Sequence, residues 1–379
     1  MTAAPRPAPP SQAVRTVLCH DWLTGMRGGE RVLEHLCRAY PDAPILTLLA
    51  NPAAVSDEIR RHPIQTSFLQ SIPGIHRRYR YLLPLFPAAV RSLRVPPCDL
   101  VISTSHCAIK SVRPPPGARH LCYCFTPMRY AWQFYAEYFG RNPVKALAAK
   151  PLLAWLRRWD RRTSQRVDRF VAISRHVADR IRRAYGREPD VVYPPVETDY
   201  WTPGPGPVAE VGAYDLIVSA LVPYKRVDLA VGAWARSGQK LKVVGTGTEA
   251  ANLQRVAGPN VEFLGWQTDE AIRDLYRGCR MLVFPGEEDF GIVPLEAQAC
   301  GRPVVAYRAG GAMETVLEGE TGVFFGRQDE ESLLAAAREC ASRPWNPPLI
   351  RRHAETFAPS RFMAGLTASV ERCLMPGQA

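Results

Sequence analysis

Twice along the chain, short apolar runs alternate with stretches of helical periodicity, and a cluster of proline and glycine separates the two series. The first series reads VRTVLCHDW, a helix near Glu30 to Ala39, then PILTLLA, DLVISTS, ARHLCYCF and RFVAIS. At VYPPVETDYWTPGPGPVAEVG the pattern stops, and the prolines and glycines from Pro194 to Pro207 predict a linker. The second series reads DLIVSALV, a helix from Val227 to Ser237, KLKVVG, VEFLG, MLVFP, RPVVAY and GVFFG. Strands that alternate with helices build parallel sheets covered on both faces. We therefore expect an α/β protein of two doubly wound domains facing each other across a cleft, with ligands held by loops at the carboxyl ends of strands. A length of 379 residues suits two domains better than one. The expected division is a disordered leader over 1–13, a first domain over 14–193, the linker over 194–207, a second domain over 208–355, and a helical segment over 356–379 that packs back on the first domain.

Composition removes several classes of function. No apolar run approaches the roughly 20 residues that span a bilayer, so no segment is expected to cross a membrane. The opening MTAAPRPAPPSQAV is proline-rich without an apolar centre and reads as a leader rather than a signal peptide, which points to a cytoplasmic protein with reduced thiols. His120, Cys122 and Cys124 share one face of the strand HLCYC, an arrangement open to a metal site or to an ordinary core strand. The net charge of +12 is uneven, with arginine concentrated from Arg157 to Arg187. The stretch IHRRYRYLLPLFPAAVRSLR, 75–94, mixes basic with aromatic and aliphatic residues. It reads either as peripheral contact with an anionic membrane surface or as a basic helix over a core, with Pro84 interrupting any continuous helix. No nucleic-acid-binding signature accompanies the charge.

EEDFGIVPLEAQACG, 287–301, places Glu288 in the loop after a buried strand and Glu296 about two turns along the following helix. Two carboxylates so placed address different parts of one ligand rather than flanking a single bond. Gly291 allows close backbone approach, and the free N–H groups of Ile292 and Val293 favour an anion. A phosphate beside hydroxyl-binding glutamates describes a sugar nucleotide. In SALVPYKRVD, Lys225 and Arg226 stand where a strand gives way to a helix, suited to a diphosphate leaving group; the alternative is a solvated surface pair. KVVGTGTEAANL is either a backbone cradle or a structural turn. HDWLTGMRGGERV sets Gly28 and Gly29 between the first strand and its helix, where they either admit a phosphate or donor sugar or form a plain turn. His106 follows another strand and is placed to reach a sugar through a ring nitrogen; the bland reading is a satisfied structural histidine. The chain has no Asp-any-Asp triplet, so no metal is expected on the diphosphate, and no cofactor.

EEDFGIVPLEAQACGRPVVAYRAGGAMETV resembles the signature of the family-four retaining glycosyltransferases (glycosyltransferase group 1), whose paired glutamates have this spacing. HDWLTGMRGGERV, YCFTPMRYAW and LVPYKRVDLAV are similar to the bacterial subgroup of O-antigen and exopolysaccharide mannosyltransferases. The resemblance implies the GT-B fold of two Rossmann-like domains, with a nucleotide diphosphate sugar bound mainly by the second and an acceptor by the first. It gives Lys225 the diphosphate, Glu288 the donor-sugar hydroxyls, Glu296 the ribose, His106 a donor-sugar contact, and Gly28 and Gly29 a place near the diphosphate. It also implies an acceptor, a saccharide or lipid-linked saccharide, handled through Thr126, Arg129 and Tyr130. Three positions depart from the pattern: Ala220 stands where many members carry arginine, and Phe125 and Gln133 where histidine and aspartate are expected. Arg226 is the candidate substitute for the missing arginine. The expected activity is transfer of a hexose, mannose from GDP-mannose on the subgroup likeness, in cell-surface polysaccharide synthesis. A non-catalytic sugar-nucleotide-binding homologue and a sugar-nucleotide epimerase are the alternatives.

Overall fold

The computed structural model describes residues 14–132, 143–204, 212 and 214–375. The leader over 1–13, Gln133 and linker positions 205–207 lie outside them. Thirteen strands among the described residues form two sheets, each pairing parallel throughout. The first contains β1 (Thr16–His20), β2 (Ile45–Thr47), β3 (Ile64–Thr66), β4 (Leu100–Ser105), β5 (Arg119–Cys124), β6 (Arg169–Ala172) and β7 (Asp190–Val191), in the order β3-β2-β1-β4-β5-β6-β7. The second contains β8 (Asp215–Val218), β9 (Leu241–Val244), β10 (Val261–Gly265), β11 (Leu282–Phe284), β12 (Val304–Tyr307) and β13 (Gly322–Phe325), in the order β10-β9-β8-β11-β12-β13. The central strands are rich in apolar residues and buried on both faces, as parallel sheets covered by helices require. Every residue of β1 and β4 is buried. The expected doubly wound parallel α/β class is the one observed.

Helices that matter below are α1 (Gly28–Ala39), α2 (Phe86–Ser92), α3 (Pro143–Ser164), α4 (Arg175–Tyr185), α5 (Val227–Ser237), α6 (Asp269–Gly278), α7 (Ile292–Ala299) and α8 (Pro359–Leu374). Local chemistry sets their ends. The Ser174 hydroxyl accepts from the Val177 N–H to start α4, and Gly186, at φ 66°, ends it in the left-handed conformation that suits glycine. Thr268 caps α6 in the same way.

The chain divides into two compact units, Met1–Pro194 with Ser360–Ala379, and Pro195–Pro359. In the first, Phe362 of α8 packs edge-on against Tyr123 and His35, and Arg372 pairs with Asp190 at 2.9 Å. In the second, the Arg351 guanidinium donates to the carbonyls of Thr198, Trp201 and Ala299, which ties the incoming chain to this unit.

The basic stretch 75–94 spends its apolar residues inward. Ile75, Tyr79, Leu83, Phe86, Ala89, Val90 and Leu93 are buried in the first unit's core, while Tyr81 and Leu85 are exposed. Around Pro84 the backbone is a tighter 3-10 segment, Tyr79–Leu85, with non-helical angles at Leu82, so no continuous helix forms. His120, Cys122 and Cys124 are likewise buried, and the His120 ring bonds Ser103 at 2.8 Å. Among the described residues no group of three His, Cys, Asp or Glu is disposed to hold a metal ion.

Candidate functional site

In each sheet the strand order reverses beside the first strand, between β1 and β4 and between β8 and β11. Connections leave such a switch point on opposite faces and open a crevice at the carboxyl ends of the strands. Gly28, Gly29 and His106 lie on those connections in the first unit and Lys225, Arg226, Glu288, Gly291 and Glu296 in the second, while Thr126, Arg129 and Tyr130 follow β5.

In the first unit the organising group is Asp21, directly after β1 and fully buried. One carboxylate oxygen accepts from the N–H groups of His106 and Cys107 at 2.7 and 2.8 Å, and the other from Ala108 and Ile109 at 2.7 and 2.8 Å. The Ser105 hydroxyl adds a bond of 3.2 Å. Burial pushes the Asp21 carboxyl up, but His106, the N–H groups of Ile109 and His106, and Lys110 outweigh it and hold the carboxyl below its ordinary value. The turn after β4 is thus wrapped around a buried anion. His106 stands on its outer edge, a quarter exposed, with Nδ1 3.4 Å from Asp21 and its ring edge-on to Trp22.

Beneath the same turn a second buried charge is neutralised. Lys110 Nζ lies 2.5 Å from Asp160 of α3 and donates to the Cys107 carbonyl at 2.6 Å. Asp160 also accepts from Trp132 Nε1 and the Tyr185 hydroxyl. Burial alone would lower the Lys110 ammonium, but Asp160 raises it above its usual value, so the lysine stays charged. This network braces the segment that carries the predicted acceptor residues: Thr126 is buried, and Arg129 and Tyr130 are half-buried. The Phe125 and Arg129 N–H groups donate to the carbonyls of Ser105 and His106, which sets this segment beside the histidine.

Gly28 and Gly29 form the first turn of α1. A Cβ on Gly28 would meet nothing within 4 Å, whereas one on Gly29 would come 3.4 Å from the rings of His20 and Phe125. A Cβ at Gly29 would thus sit in ordinary contact with those rings, whereas the space at Gly28 is open.

In the second unit Lys225 Nζ forms an ion pair with Glu288 Oε1, joining the turn after β8 to the turn after β11. Both side chains are largely buried. Gly286 allows this approach: a Cβ there would lie 2.9 Å from the Lys225 Cα. Arg226 is the only described non-glycine residue with positive φ, at 50°, and starts α5. Its guanidinium donates to Asp228 at 3.2 Å and to Gln328 at 3.3 Å. Gly291, at φ 96°, makes the bend into α7. Ile292 and Val293 open that helix, and Glu296 is its fifth residue, a little over one turn from the start rather than two. Glu296 accepts from the hydroxyl of the buried Tyr276 at 3.0 Å.

Glycines elsewhere hold these turns together. A Cβ on Gly311 would lie 2.2 Å from the Phe290 Cα, and one on Gly310 2.4 Å from the Glu288 carbonyl. The Gly311 N–H donates to that carbonyl at 2.8 Å. Gly245 and Gly247 press equally hard on the carbonyls of Ser219 and Leu221, so the glycines of KVVGTGTEA seat the turn after β8. Asp21, Lys110, Asp160 and Tyr276 were not singled out from sequence. The available signal for Asp21 was an acid placed immediately after a strand that is wholly buried, TVLCH.

Residues 26–200 match the family described as Glycosyltransferase Family 4, and residues 214–343 match Glycosyl transferases group 1. The chain is 34% identical over 233 residues to the D-inositol 3-phosphate glycosyltransferase of Geodermatophilus obscurus, covering 53% of this chain and 52% of that protein. It is 28% identical over 242 residues to the protein of the same name from Gordonia bronchialis, covering 55% and 53%. The chain thus spans about half the length of the curated relatives it matches. Among solved structures, HepE of Anabaena in complex with UDP and glucose superposes with a TM-score of 0.67 at 18% identity, covering 94% of this chain and all of that one. The lipopolysaccharide outer core galactosyltransferase WaaB, apo form, gives 0.66 at 14%, covering 94% and 99%. At these identities the likeness is one of fold.

Proposed function

Because the chain belongs to the family 4, group 1 glycosyltransferases, we propose that it transfers a hexose, with retention of anomeric configuration, from a nucleoside diphosphate sugar to a saccharide or lipid-linked saccharide. Mannose from GDP-mannose is the donor we assign. The observation that carries the reading is the Lys225–Glu288 ion pair at the switch point of the second sheet, beside a helix start opened by Gly291. A cation and a hydroxyl-binding carboxylate held together suit a ligand with phosphate at one end and a sugar at the other.

On this reading Lys225 takes the diphosphate, together with the N–H groups of Ile292 and Val293, and Glu288 turns to the donor sugar. Glu296, oriented by the Tyr276 hydroxyl, takes the ribose. Arg226 reaches the phosphates only by releasing Asp228 or Gln328. In the first unit Gly28 gives close approach for phosphate and His106 contacts the sugar, while Thr126, Arg129 and Tyr130 handle the acceptor. The acceptor oxygen bonds to the anomeric carbon as the bond from that carbon to the diphosphate oxygen breaks, on the same face. The acceptor proton passes to the departing phosphate. The chain supplies position and charge rather than a nucleophile.

We assign the reaction to the cytoplasm, with the basic surface of the first unit turned to an anionic membrane. Among the described residues no helix is long and apolar enough to cross a membrane. The test is turnover of GDP-mannose and UDP-sugars with an acceptor panel that includes D-inositol 3-phosphate, after the names of the relatives. Ala220 and the engaged guanidinium of Arg226 favour one second reading, a non-catalytic binding homologue; donor binding without turnover on any acceptor would identify it.

A further inference from the structure

In the first unit a cavity of about 320 Å³ opens between α2, the turn Ile109–Ser111 and α3. It is not part of the switch-point crevice. Arg113 and Arg166, two of its lining residues, lie on the connections that enter β5 and β6 at their amino ends, whereas His106 follows the carboxyl end of β4. Arg91 and Arg162 join them, and Trp155 and Trp159 form an aromatic wall.

No carboxylate lines this cavity. Arginines elsewhere in the chain, such as Arg182, Arg277 and Arg308, pair with acids; among the described residues these four form no ion pair. The Arg166 guanidinium is held below its usual value, first by partial burial and then by the like charges of Arg113 and Arg162. Gathering four cations without a counter-charge costs free energy, which an anion would return. Guanidinium forks match phosphate oxygens in geometry, and an indole face accepts both a cation and an apolar neighbour. Trp155 is 48% exposed, so a large apolar surface stands beside the charge.

We propose that this cavity is a second ligand site that binds a phosphate group through Arg91, Arg113, Arg162 and Arg166. It is distinct from the site assigned to the donor, and the inference holds whether or not the transferase reading does. The phosphate belongs either to a soluble anion or to a lipid headgroup, and the two sources are separable.

Inorganic pyrophosphate is titrated into the full chain by calorimetry, with tryptophan fluorescence as the local reporter. In parallel the chain is sedimented with phosphatidylcholine vesicles with and without phosphatidylglycerol. Both are repeated with Arg113→Gln/Arg166→Gln and with Lys225→Ala. The exposed arginines make the double variant safe for folding, which its melting profile checks. A pyrophosphate site that the double variant weakens at least tenfold and Lys225→Ala leaves intact supports the proposal with a soluble ligand. Loss of sedimentation with anionic vesicles in the double variant alone supports it with a lipid. The proposal is overturned if the double variant, folded as the parent, behaves as the parent towards both probes, or if the parent binds neither.

Discussion

Replacing Asp21 by asparagine leaves one oxygen where two now accept four backbone N–H groups. Whichever way the amide is turned, its NH₂ faces two of those donors, either His106 and Cys107 or Ala108 and Ile109. Each buried donor left without an acceptor costs about 1–3 kcal/mol, so the variant should lose roughly 2–6 kcal/mol of stability in the first unit. The His106 ring also loses the carboxylate at 3.4 Å, so transfer should slow while nucleotide binding to the second unit holds. The pH of the assay follows from the sign of the Asp21 shift. Its folded value lies below the unfolded value of about 3.9, so its contribution is complete above that pH and is lost only as the pH falls through the folded value. Urea unfolding at neutral pH, followed by a signal from the first unit, therefore reads the full effect. A loss under about 1 kcal/mol would refute the claim that this carboxylate holds the turn.

Other outcomes follow from the same geometry. Lys225→Ala should lower the transfer rate about a hundredfold at saturating donor, the scale of losing one preorganised charge, and wild-type turnover would remove Lys225 from the site. Gly311→Ala pushes a Cβ into the Phe290 backbone and should cost about 1–3 kcal/mol together with nucleotide affinity, both readable from thermal melts with and without ligand. Gly28→Ala, with open space around it, should leave stability unchanged or slightly raised; reduced donor affinity in that stable variant would mark Gly28 as a point of ligand approach. His120 is lowered by burial to about 4, with Asp168 opposing. Because the unfolded chain takes up that proton near pH 6.5, stability should be full above that value and fall by about 3 kcal/mol as the pH drops towards 4. His120→Gln should flatten that part of the urea midpoint against pH curve.

Strands such as β1, β4, β8 and β11 were legible because burial on both faces leaves a short apolar run of three or more residues in each. The edge strands β3 and β7 were not, since Ile64–Thr66 and Asp190–Val191 are short, partly exposed and carry no such run. The turns bearing Lys225, Glu288 and Gly291 could be found from the residues that bend the chain after a strand. What holds those turns could not: Gly311 packs on Phe290, and Lys110 finds Asp160 fifty residues away, contacts that only the closed sheet creates. The stretch 75–94 shows the opposite error of emphasis, because its mixture of basic and apolar residues matches a membrane surface in composition while most of its apolar side chains fill the core.

Calorimetric titration of the full chain with GDP, UDP, GDP-mannose and UDP-sugars, repeated with Glu296→Ala, tests the account most directly. Selective binding of one nucleotide, with GDP-mannose favoured and the affinity lowered by the substitution, is the predicted result. Binding of none of them, or binding that Glu296→Ala leaves unchanged, would contradict it.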